Sequence, residues 1–351
     1  LNTFSYTNLN LNQSDANNTN GIKASIFSFY DPSDSTVRDY ETTAVVNTRT
    51  FTVSGDDTTA SDDMNNMLWD VGRFYGTGDD DLFTLNNAKL NTLDGGAGND
   101  SIVIDSTTRI ATIGSTGGGT DTLTTLGDGS DNSAGDMDLR STGITGVTTV
   151  SLNNNNTATS GNTTLTLNNA TSFATSTTIS FGTNSNHTHI ESANGIDLTD
   201  VSSVAYGGTG GLAILLDTDY TTTATSGATL TLDASLSWSI NSSSVFQIRG
   251  VESTGDAAGL GANDYVITST GAMNLSGAKL SGIESINFDT ADGSGNIDLT
   301  VNGATNFTYD SNSTNNVTIT GGSGSATNRL VSESGMNLSD VTLSSIDSVI
   351  I

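Results

Sequence analysis

The sequence of 351 residues contains no cysteine, a single proline and only ten lysine and arginine residues. The absence of cysteine excludes a disulfide framework and any zinc site built on thiolates. Asp and Glu together number 38, so the formal net charge is −28. So acidic a surface repels nucleic acids and anionic membranes, and it resists compaction unless cations screen it or bind to it. We therefore expect no nucleic-acid partner.

Long apolar runs are also lacking. Hydrophobic residues make up 34% of the chain, and no stretch approaches the roughly 18 apolar residues of a membrane helix, so we expect no membrane insertion. The chain begins at Leu1 rather than at a methionine, which leads us to expect a processed or trimmed segment of a longer protein. Stacked β architectures suit this composition, because each of their coils buries only a narrow apolar stripe.

The sequence is rich instead in a glycine–aspartate phrase that recurs at nearly constant spacing. The phrase reads G-x-G-[DNT]-D-x-[IL], and three copies align without a gap. Their aspartates are Asp80, Asp100 and Asp121, which are 20 and 21 residues apart. Glycines permit a tight turn in which backbone carbonyls point inward. Aspartate adds a carboxylate oxygen, which is the ligand type that calcium prefers. The phrase therefore predicts Ca²⁺ as a cofactor.

A longer repeat follows further along the chain. It consists of a Met-Asx-Leu segment and a later Leu…Gly-Ile-Glu-x-Ile-x-Leu segment, and its copies begin at Met137, Met273 and Met336. The glycine–aspartate phrase precedes the second copy with Asp264 as its carboxylate. Internal repeats of this kind favour stacked β-strands over a compact enzyme fold.

Thr-rich segments between these motifs are predicted to be strands, because short apolar bursts are bounded by Gly, Asn and Ser. The six segments are 163–167, 177–181, 212–216, 229–232, 297–301 and 317–319. One helix is predicted near residues 61–72, where Ser61 can cap the N-terminus and apolar residues at 64, 67, 68 and 71 share one face.

The predicted fold class is all-β, with repetitive β-solenoid or β-roll-like stacked strands, a β-rich N-terminal piece and one short helix. We divide the chain into three parts. Residues 1–73 are the N-terminal β-rich region with the helix, residues 74–131 contain the calcium-binding turns, and residues 132–351 contain the solenoid-like repeats.

At the level of families, residues from about 74 to 131 resemble the calcium-binding repeats-in-toxin (RTX) proteins. The copy that starts at Gly95 matches their full G-G-x-G-x-D-x-U nonapeptide. Residues from about 114 to 351 look like the repeat region of RTX-type bacterial S-layer proteins and large surface adhesins. The resemblance implies a secreted, cell-surface protein that binds calcium between stacked turns and self-assembles.

The resemblance also implies which residues bind the metal. Carried over position by position, the calcium-binding aspartate corresponds to Asp80, Asp100 and Asp121, and to Asp264 with one residue inserted. The turn residues that accompany them are Gly78, Asp79, Gly96, Gly98 and Asn99. The sequence departs from the family in its turn spacing, which exceeds the roughly 18 residues that two nonapeptides give.

Each signal also has an ordinary interpretation. Gly and Asp dominate turns in general, so the phrases alone are compatible with simple turns. Glu284 recurs in the longer repeat, but a carboxylate at a strand edge can simply accept hydrogen bonds from backbone amides. His187 and His189 would share one face of a strand, and an exposed pair is favoured over a zinc site because no third ligand is indicated. Trp238 is interpreted as a core or interface residue.

The expected function is structural, and no enzyme is predicted, because none of the common catalytic motifs is present. We expect a homo-oligomer that forms a surface layer or an extracellular filament, with cell-surface polysaccharide as a second partner. The apolar residues Val349, Ile350 and Ile351 suit a strand that pairs with another molecule. The alternative is an adhesin, or a glycan- or ice-binding segment, although the sequence shows no regular T-x-T ladder. An enzyme acting on polysaccharide ranks last.

Overall fold

The computed structural model describes residues 30–31, 36–37, 49–54, 73–78, 80–86, 89–115, 117–125, 135–152, 163–182, 187–192, 194–216, 228–250, 265–288, 295–303, 305–308, 317–332, 334–339 and 341–351. These residues are all-β and contain no helix. None of them therefore forms a helix long and apolar enough to cross a membrane. The helix predicted near residues 61–72 lies outside the described residues and finds no support in them.

The described residues form 31 strands, numbered in chain order. They are β1 (Tyr30–Asp31), β2 (Thr36–Val37), β3 (Arg49–Ser54), β4 (Arg73–Thr77), β5 (Asp81–Asn86), β6 (Lys89–Gly96), β7 (Ser101–Ile104), β8 (Arg109–Gly114), β9 (Asp121–Thr125), β10 (Met137–Asp138), β11 (Gly143–Ile144), β12 (Val147–Leu152), β13 (Thr163–Thr166), β14 (Thr177–Phe181), β15 (His187–Glu191), β16 (Ile196–Leu198), β17 (Val201–Tyr206), β18 (Gly211–Leu215), β19 (Ala228–Leu232), β20 (Ser237–Ile240), β21 (Phe246–Arg249), β22 (Tyr265–Ser269), β23 (Met273–Asn274), β24 (Ala278–Ser281), β25 (Ser285–Asn287), β26 (Asn296–Val301), β27 (Asn306–Thr308), β28 (Val317–Thr320), β29 (Thr327–Ser332), β30 (Val341–Ser344) and β31 (Ser348–Ile350). All six Thr-rich segments predicted as strands are confirmed, with ends that differ by at most one residue.

Apart from the antiparallel pair β1–β2, every strand pair among the described residues is parallel. Sheet I has the order β3-β5-β7-β9-β12-β14-β17-β20, and sheet II has the order β4-β6-β8-β11. Sheet III has the order β10-β13-β15-β18-β21-β24-β27. Sheet IV has the order β16-β19-β22-β25-β28-β30, and sheet V has the order β23-β26-β29-β31.

The chain moves from sheet to sheet in a regular rotation. From β4 to β9 it alternates between sheets II and I, and from β21 to β29 it visits sheets III, IV and V in turn. We call the stretch between successive strands of one sheet a circuit. Each circuit adds one parallel strand to every sheet that it visits. Sheet I continues across the expected boundary at residue 131, because β9 pairs with β12.

Alternating side chains place rows of apolar residues on the inner faces of the sheets. In sheet I one such row includes Phe83, Ile102, Leu123, Val150 and Ile179, which the pairing register aligns. Each is at most 2% exposed. Burial of such a side chain contributes about 1.5–3 kcal/mol. The core is therefore built row by row, one residue per circuit.

Buried threonines join successive circuits. The hydroxyl of Thr142 donates to the carbonyl of Ile110 at 2.8 Å, and the hydroxyl of Thr171 donates to the carbonyl of Leu139 at the same distance. Thr305 repeats the arrangement near the other end of the chain. Each buried hydroxyl is thereby satisfied, and it adds a hydrogen bond from one circuit to the next.

Trp238 lies at the point where sheet I ends and sheet V begins. It belongs to β20, the last strand of sheet I, and its ring packs against Phe246 at a centroid distance of 4.7 Å. Its indole N–H donates to the carbonyl of Asn274 in β23, the first strand of sheet V. Because the side chain is partly buried against the core, its interpretation as a core residue is confirmed.

Candidate cation site in the glycine–aspartate turns

The pairing register changes the alignment of the first glycine–aspartate phrase. In sheet I, Leu82 pairs with Ser101, and Ser101 pairs with Thr122. The residue beside Asp100 and Asp121 is therefore Asp81, whereas the gapless alignment placed Asp80 there. That alignment is wrong by one residue at the first copy. The register follows the core, because Phe83 is the buried residue in the row and Leu82 is only half-buried.

Asp81, Asp100 and Asp121 form a stack of buried carboxylates, which we call the inner ladder. They are 1%, 2% and 1% exposed. The backbone N–H of Asp81 donates to Oδ1 of Asp100 at 2.8 Å. The N–H of Asp100 donates in the same way to Oδ1 of Asp121 at 2.7 Å. The carboxylates of Asp100 and Asp121 therefore each accept the amide at the start of the preceding strand of sheet I.

A second ladder lies beside it at the surface. This outer ladder consists of Asp80, Asn99 and Thr120, all of them exposed. The N–H of Asn99 donates to Oδ1 of Asp80 at 2.7 Å, and the N–H of Thr120 donates to Oδ1 of Asn99 at 2.9 Å. Here the amide belongs to the later circuit, so the hydrogen bonds point the opposite way from those of the inner ladder. Successive turns are thus tied together in both directions.

In Asp100 and Asp121, the second carboxylate oxygen has neither a hydrogen-bond donor nor a salt bridge with another described residue. Oδ2 of Asp100 and Oδ2 of Asp121 are buried and have no hydrogen-bond partner. Neither residue forms a salt bridge with another described residue; the salt bridges there involve Asp138 and Asp298. Burial is the main cause that raises the pKa of Asp100 to about 7, and the nearby carboxylates of Asp121 and Asp81 contribute to this rise. Because a buried charge needs a partner, a proton or a cation is required at this position.

Glycine is required where the inner carboxylates approach the backbone. A Cβ atom on Gly95 would lie 2.3 Å from Oδ2 of Asp100, and one on Gly76 would lie 2.9 Å from Oδ2 of Asp81. Sheet II places Gly76 and Gly95 at the same level, because Tyr75 pairs with Asp94 and Thr77 pairs with Gly96. Each of these glycines precedes its inner aspartate by five residues, which gives the correct alignment of the first two copies.

The predicted glycine ligands occupy the turn itself. Gly96 and Gly98 have φ values of 91° and 114°, in the left-handed region that favours glycine. The carbonyl of Gly96 already accepts the N–H of Gly117 at 2.9 Å and the hydroxyl of Ser115 at 3.1 Å. Gly78 is exposed. Asp79 and Asp264 lie outside the described residues.

The donor set fits a cation that prefers oxygen ligands. No group of three or more His, Cys, Asp or Glu side chains in the described ranges converges in a way that could hold a metal ion. The inner ladder instead offers one buried carboxylate oxygen without a hydrogen-bond partner at Asp100 and one at Asp121, and carboxylate oxygen is a ligand type that calcium prefers. Asp81, Asp100 and Asp121 are the residues that would hold it.

In the longer repeat, carboxylates also accept hydrogen bonds from backbone amides that lie earlier in the chain. Oε2 of Glu284 accepts the N–H of Tyr265 at 2.5 Å. Oδ2 of Asp347 accepts the N–H of Asn328 at 2.8 Å. In both pairs the acceptor lies 19 residues after the donor, as in the pair Asp81 and Asp100. The interpretation of Glu284 as a residue that accepts from a backbone amide is confirmed.

A buried ion cluster at the first edge of sheet III was missed by the sequence analysis. Asp138 is 7% exposed and lies 2.6 Å from the guanidinium of Arg109 and 2.5 Å from that of Arg140. Burial raises the pKa of the neighbouring Asp136 to about 6, although its Oδ1 accepts the N–H of Thr164. Arg109 lies 29 residues before Asp138, so no local pattern links them.

The histidine pair lies on β15 of sheet III. His187 is exposed and His189 is half-buried. Burial lowers the pKa of His189, and His187 and Arg249 lower it further. No third metal-ligating side chain completes a site with them in the described part of the chain.

The outer face of sheet I carries two rows of hydroxyl side chains that the sequence did not reveal. One row contains Ser101, Thr122, Thr149, Thr178 and Ser203. The other contains Thr124, Ser151 and Ser180 between Val103 and Ala205. The T-x-T and T-x-S pairs are separated by unequal loops, so a search at fixed period does not find them.

No protein-family model matches the chain, and neither a curated protein nor a solved structure matches it. The resemblance to RTX proteins and to S-layer repeats therefore rests on the motifs quoted above.

Proposed function

We propose that the protein is a secreted structural subunit, a calcium-stabilised β-solenoid that assembles with its own copies into a surface layer or filament. The rotation of the chain among parallel sheets supports the solenoid, since each circuit adds one strand to each sheet it visits. The proposal includes no catalytic role. It would place the protein outside the cell, at the cell surface.

The observation that supports self-assembly is a group of exposed apolar side chains on β30 and β31. Leu343 is 38% exposed and Val349 is 41% exposed. Their partners in the preceding strands, Ile319 and Leu330, are fully buried. β30 and β31 are the last strands in the order of sheets IV and V. We call this surface, formed by Leu343, Val349 and Ile350, the end face.

A second copy is the occupant that the end face suits best. Leu343 and Val349 are in register with the buried residues Ile319 and Leu330, and burial of each such side chain contributes about 1.5–3 kcal/mol. The edge strands offer a row of unpaired backbone groups for a further parallel strand. A head-to-tail contact of this kind does not close on itself, so it generates a filament or lattice rather than a dimer.

Calcium supplies the positive charge that the inner ladder needs. When bound, it would neutralise the carboxylates of successive circuits and offset part of the net charge of −28. Asp100 and Asp121 would each contribute Oδ2, while their Oδ1 atoms continue to accept backbone amides. Because only the folded stack brings these residues together, calcium would stabilise the fold by linkage.

The first experiment is a calcium titration from EGTA to about 10 mM, the range of weak extracellular calcium modules, followed by light scattering and far-UV circular dichroism. We expect particle size and strand signal to rise together. Leu343→Asp is expected to keep the strand signal and abolish the growth in size, whereas the matched control Ser344→Asp, one residue away on an outward position, assembles normally. A chain that stays monomeric at all calcium concentrations contradicts the proposal.

The two hydroxyl rows of sheet I favour a second candidate function, the binding of ice or a crystalline glycan surface. Their residues repeat at the strand spacing of about 4.8 Å on one face. Thermal hysteresis measures ice binding directly. On this alternative Thr178→Lys abolishes the hysteresis, whereas Thr231→Lys on the outer face of sheet IV leaves it unchanged. Absence of hysteresis in the wild-type protein removes the ice-binding form of the candidate.

A further inference from the structure

The outer face of sheet III differs from the hydroxyl-rich outer face of sheet I. The pairing register aligns His189, Ala213, Gln247 and Lys279 in one row. Arg249 lies in the next row, two residues after Gln247 on β21. We call His187, His189, Arg249 and Lys279 the basic strip. It contains both histidines of the chain and two of its ten Lys and Arg residues.

The Arg and Lys side chains of the basic strip form no salt bridge with any described residue. Side chains of five Lys and Arg residues are described, and three of them form salt bridges, Arg109 and Arg140 with Asp138 and Arg329 with Asp298. Arg249 and Lys279 are exposed and form no salt bridge with any described residue. Two unpaired cations on neighbouring strands of one sheet are notable in a protein of net charge −28.

The members of the strip are close enough to interact. Burial lowers the pKa of His189, and the positive charges of His187 and Arg249 add to this effect. Between β15 and β21 lies β18, which presents only Gly211 and Ala213 at the levels of the two histidines, and Leu215 at the level of Glu191 and Arg249. The small residues leave room for a ligand between His189 on one side and Gln247 on the other.

We propose that the basic strip binds a linear acidic polysaccharide, one that bears carboxylate or sulfate groups. Adjacent strands are about 4.8 Å apart, so His189 and Lys279 are separated by about 14 Å across the sheet. The imidazole, amide, guanidinium and ammonium donors thus follow one another across the sheet, so a single polyanionic chain can contact all of them. Arginine favours carboxylate and sulfate because its fork makes two parallel hydrogen bonds.

A slender polymer fits this surface better than a second copy of the protein. A second copy would bring its own 28 excess negative charges close to those of the first, over a wide contact. A single polysaccharide chain touches the strip and little else, and charges further away than about 8–10 Å are screened at physiological salt. The inference depends neither on calcium nor on self-assembly, so it can be tested with EGTA present.

The test is affinity electrophoresis in gels that contain polygalacturonate, dextran sulfate or neutral dextran, all with EGTA. We expect retardation by at least one of the two acidic polymers and none by neutral dextran. Arg249→Gln and Lys279→Gln should each weaken binding by about three- to tenfold, as expected for one charge contact. Arg329→Gln is the matched control, because it removes the same charge on sheet V, and it should change binding less than twofold.

An independent readout is the NMR titration of the His189 imidazole. A bound polyanion favours the charged imidazole, so addition of the binding polymer should raise the pKa of His189. The proposal is overturned if neither acidic polymer retards the protein, if neutral dextran binds equally well, or if Arg329→Gln weakens binding as much as Arg249→Gln. It is also overturned if Arg249→Gln abolishes dimers in sedimentation while polymer binding is absent, because the strip is then a contact between copies.

Discussion

The backbone N–H of Asp81 donates a hydrogen bond of 2.8 Å to Oδ1 of Asp100, 19 residues further along the chain. Asp100 and Asp121 repeat the same bond at 2.7 Å. Asp100 and Asp121 therefore do two things: each lies at the start of a strand of sheet I, and the carboxylate of each accepts the amide at the start of the preceding strand. Since Oδ1 is used in this way, Oδ2 is the atom left for a cation or a proton.

Asp100→Asn should remove most of the stabilisation that calcium provides. The amide keeps an oxygen acceptor for the N–H of Asp81 but carries no charge, so its attraction for a cation is lost. We expect the calcium-induced rise in the melting temperature to fall by at least half. Asp80→Asn, on the exposed outer ladder, should retain the full rise. Equal losses in the two variants would show that the inner ladder is not the calcium site.

Without calcium, the stability of the protein should increase as the pH is lowered from 8 towards 5. Burial raises the pKa of Asp100 from 3.8 to about 7, with the carboxylates of Asp121 and Asp81 adding to the effect. The folded protein therefore binds more protons than the unfolded chain between about pH 4 and pH 7, and stability falls as the pH rises through this window. Urea unfolding in EGTA at several pH values measures the slope.

The control for that slope is Asp100→Asn, which cannot titrate. Screening of the general charge repulsion also changes with pH, so the informative quantity is the difference between the two proteins. The slope should be shallower in the variant. A wild-type slope of the opposite sign, or identical slopes in both proteins, would contradict a buried, uncompensated carboxyl group at Asp100.

Gly95→Ala should destabilise the protein by about 1–3 kcal/mol, the typical cost of overpacking. The added Cβ would lie 2.3 Å from Oδ2 and 2.9 Å from Cγ of Asp100, inside the ladder, where Oδ1 of the same carboxylate accepts the N–H of Asp81. Gly78→Ala is the matched control, because nothing lies within 4 Å of a Cβ at that position. Chemical denaturation in EGTA compares the two. An unaffected Gly95→Ala protein would mean that the carboxylate can move aside freely.

The sequence was sufficient to predict the strands but not their register. Period-two alternation identifies β14 and β28, because Thr and Ile face opposite sides of the sheet and only one side is buried. At the first turn, aspartates occupy positions 79, 80 and 81, and both Leu82 and Phe83 are apolar. Two alignments were therefore equally good in the sequence, and only the burial of Phe83 decides between them.

Contacts between circuits could not be predicted from the sequence for a different reason. The longer repeat recurs in the sequence, yet its first copy starts on sheet III at Met137 and its second on sheet V at Met273. Successive copies of the repeat therefore begin on different sheets. Partners such as Arg109 and Asp138 become neighbours only after circuits of unequal length are stacked. The same inequality concealed the hydroxyl rows of sheet I.

Substitutions of Glu284 can distinguish two roles of a carboxylate in the repeats: accepting a hydrogen bond from a backbone amide, and binding calcium. Its Oε2 accepts the N–H of Tyr265, so Glu284→Ala should leave that amide without this acceptor and cost about 1–2 kcal/mol, as for the loss of other capping side chains. Glu284→Gln retains an oxygen acceptor of the same length and should stay within about 0.5 kcal/mol of the wild type, the range of surface changes. Urea denaturation with and without calcium gives both values.

If Glu284 instead bound calcium, Glu284→Gln would behave like Asp100→Asn and lose its calcium-dependent stabilisation. A normal calcium response in Glu284→Gln, beside a lost response in Asp100→Asn, assigns capping to the longer repeat and cation binding to the inner ladder.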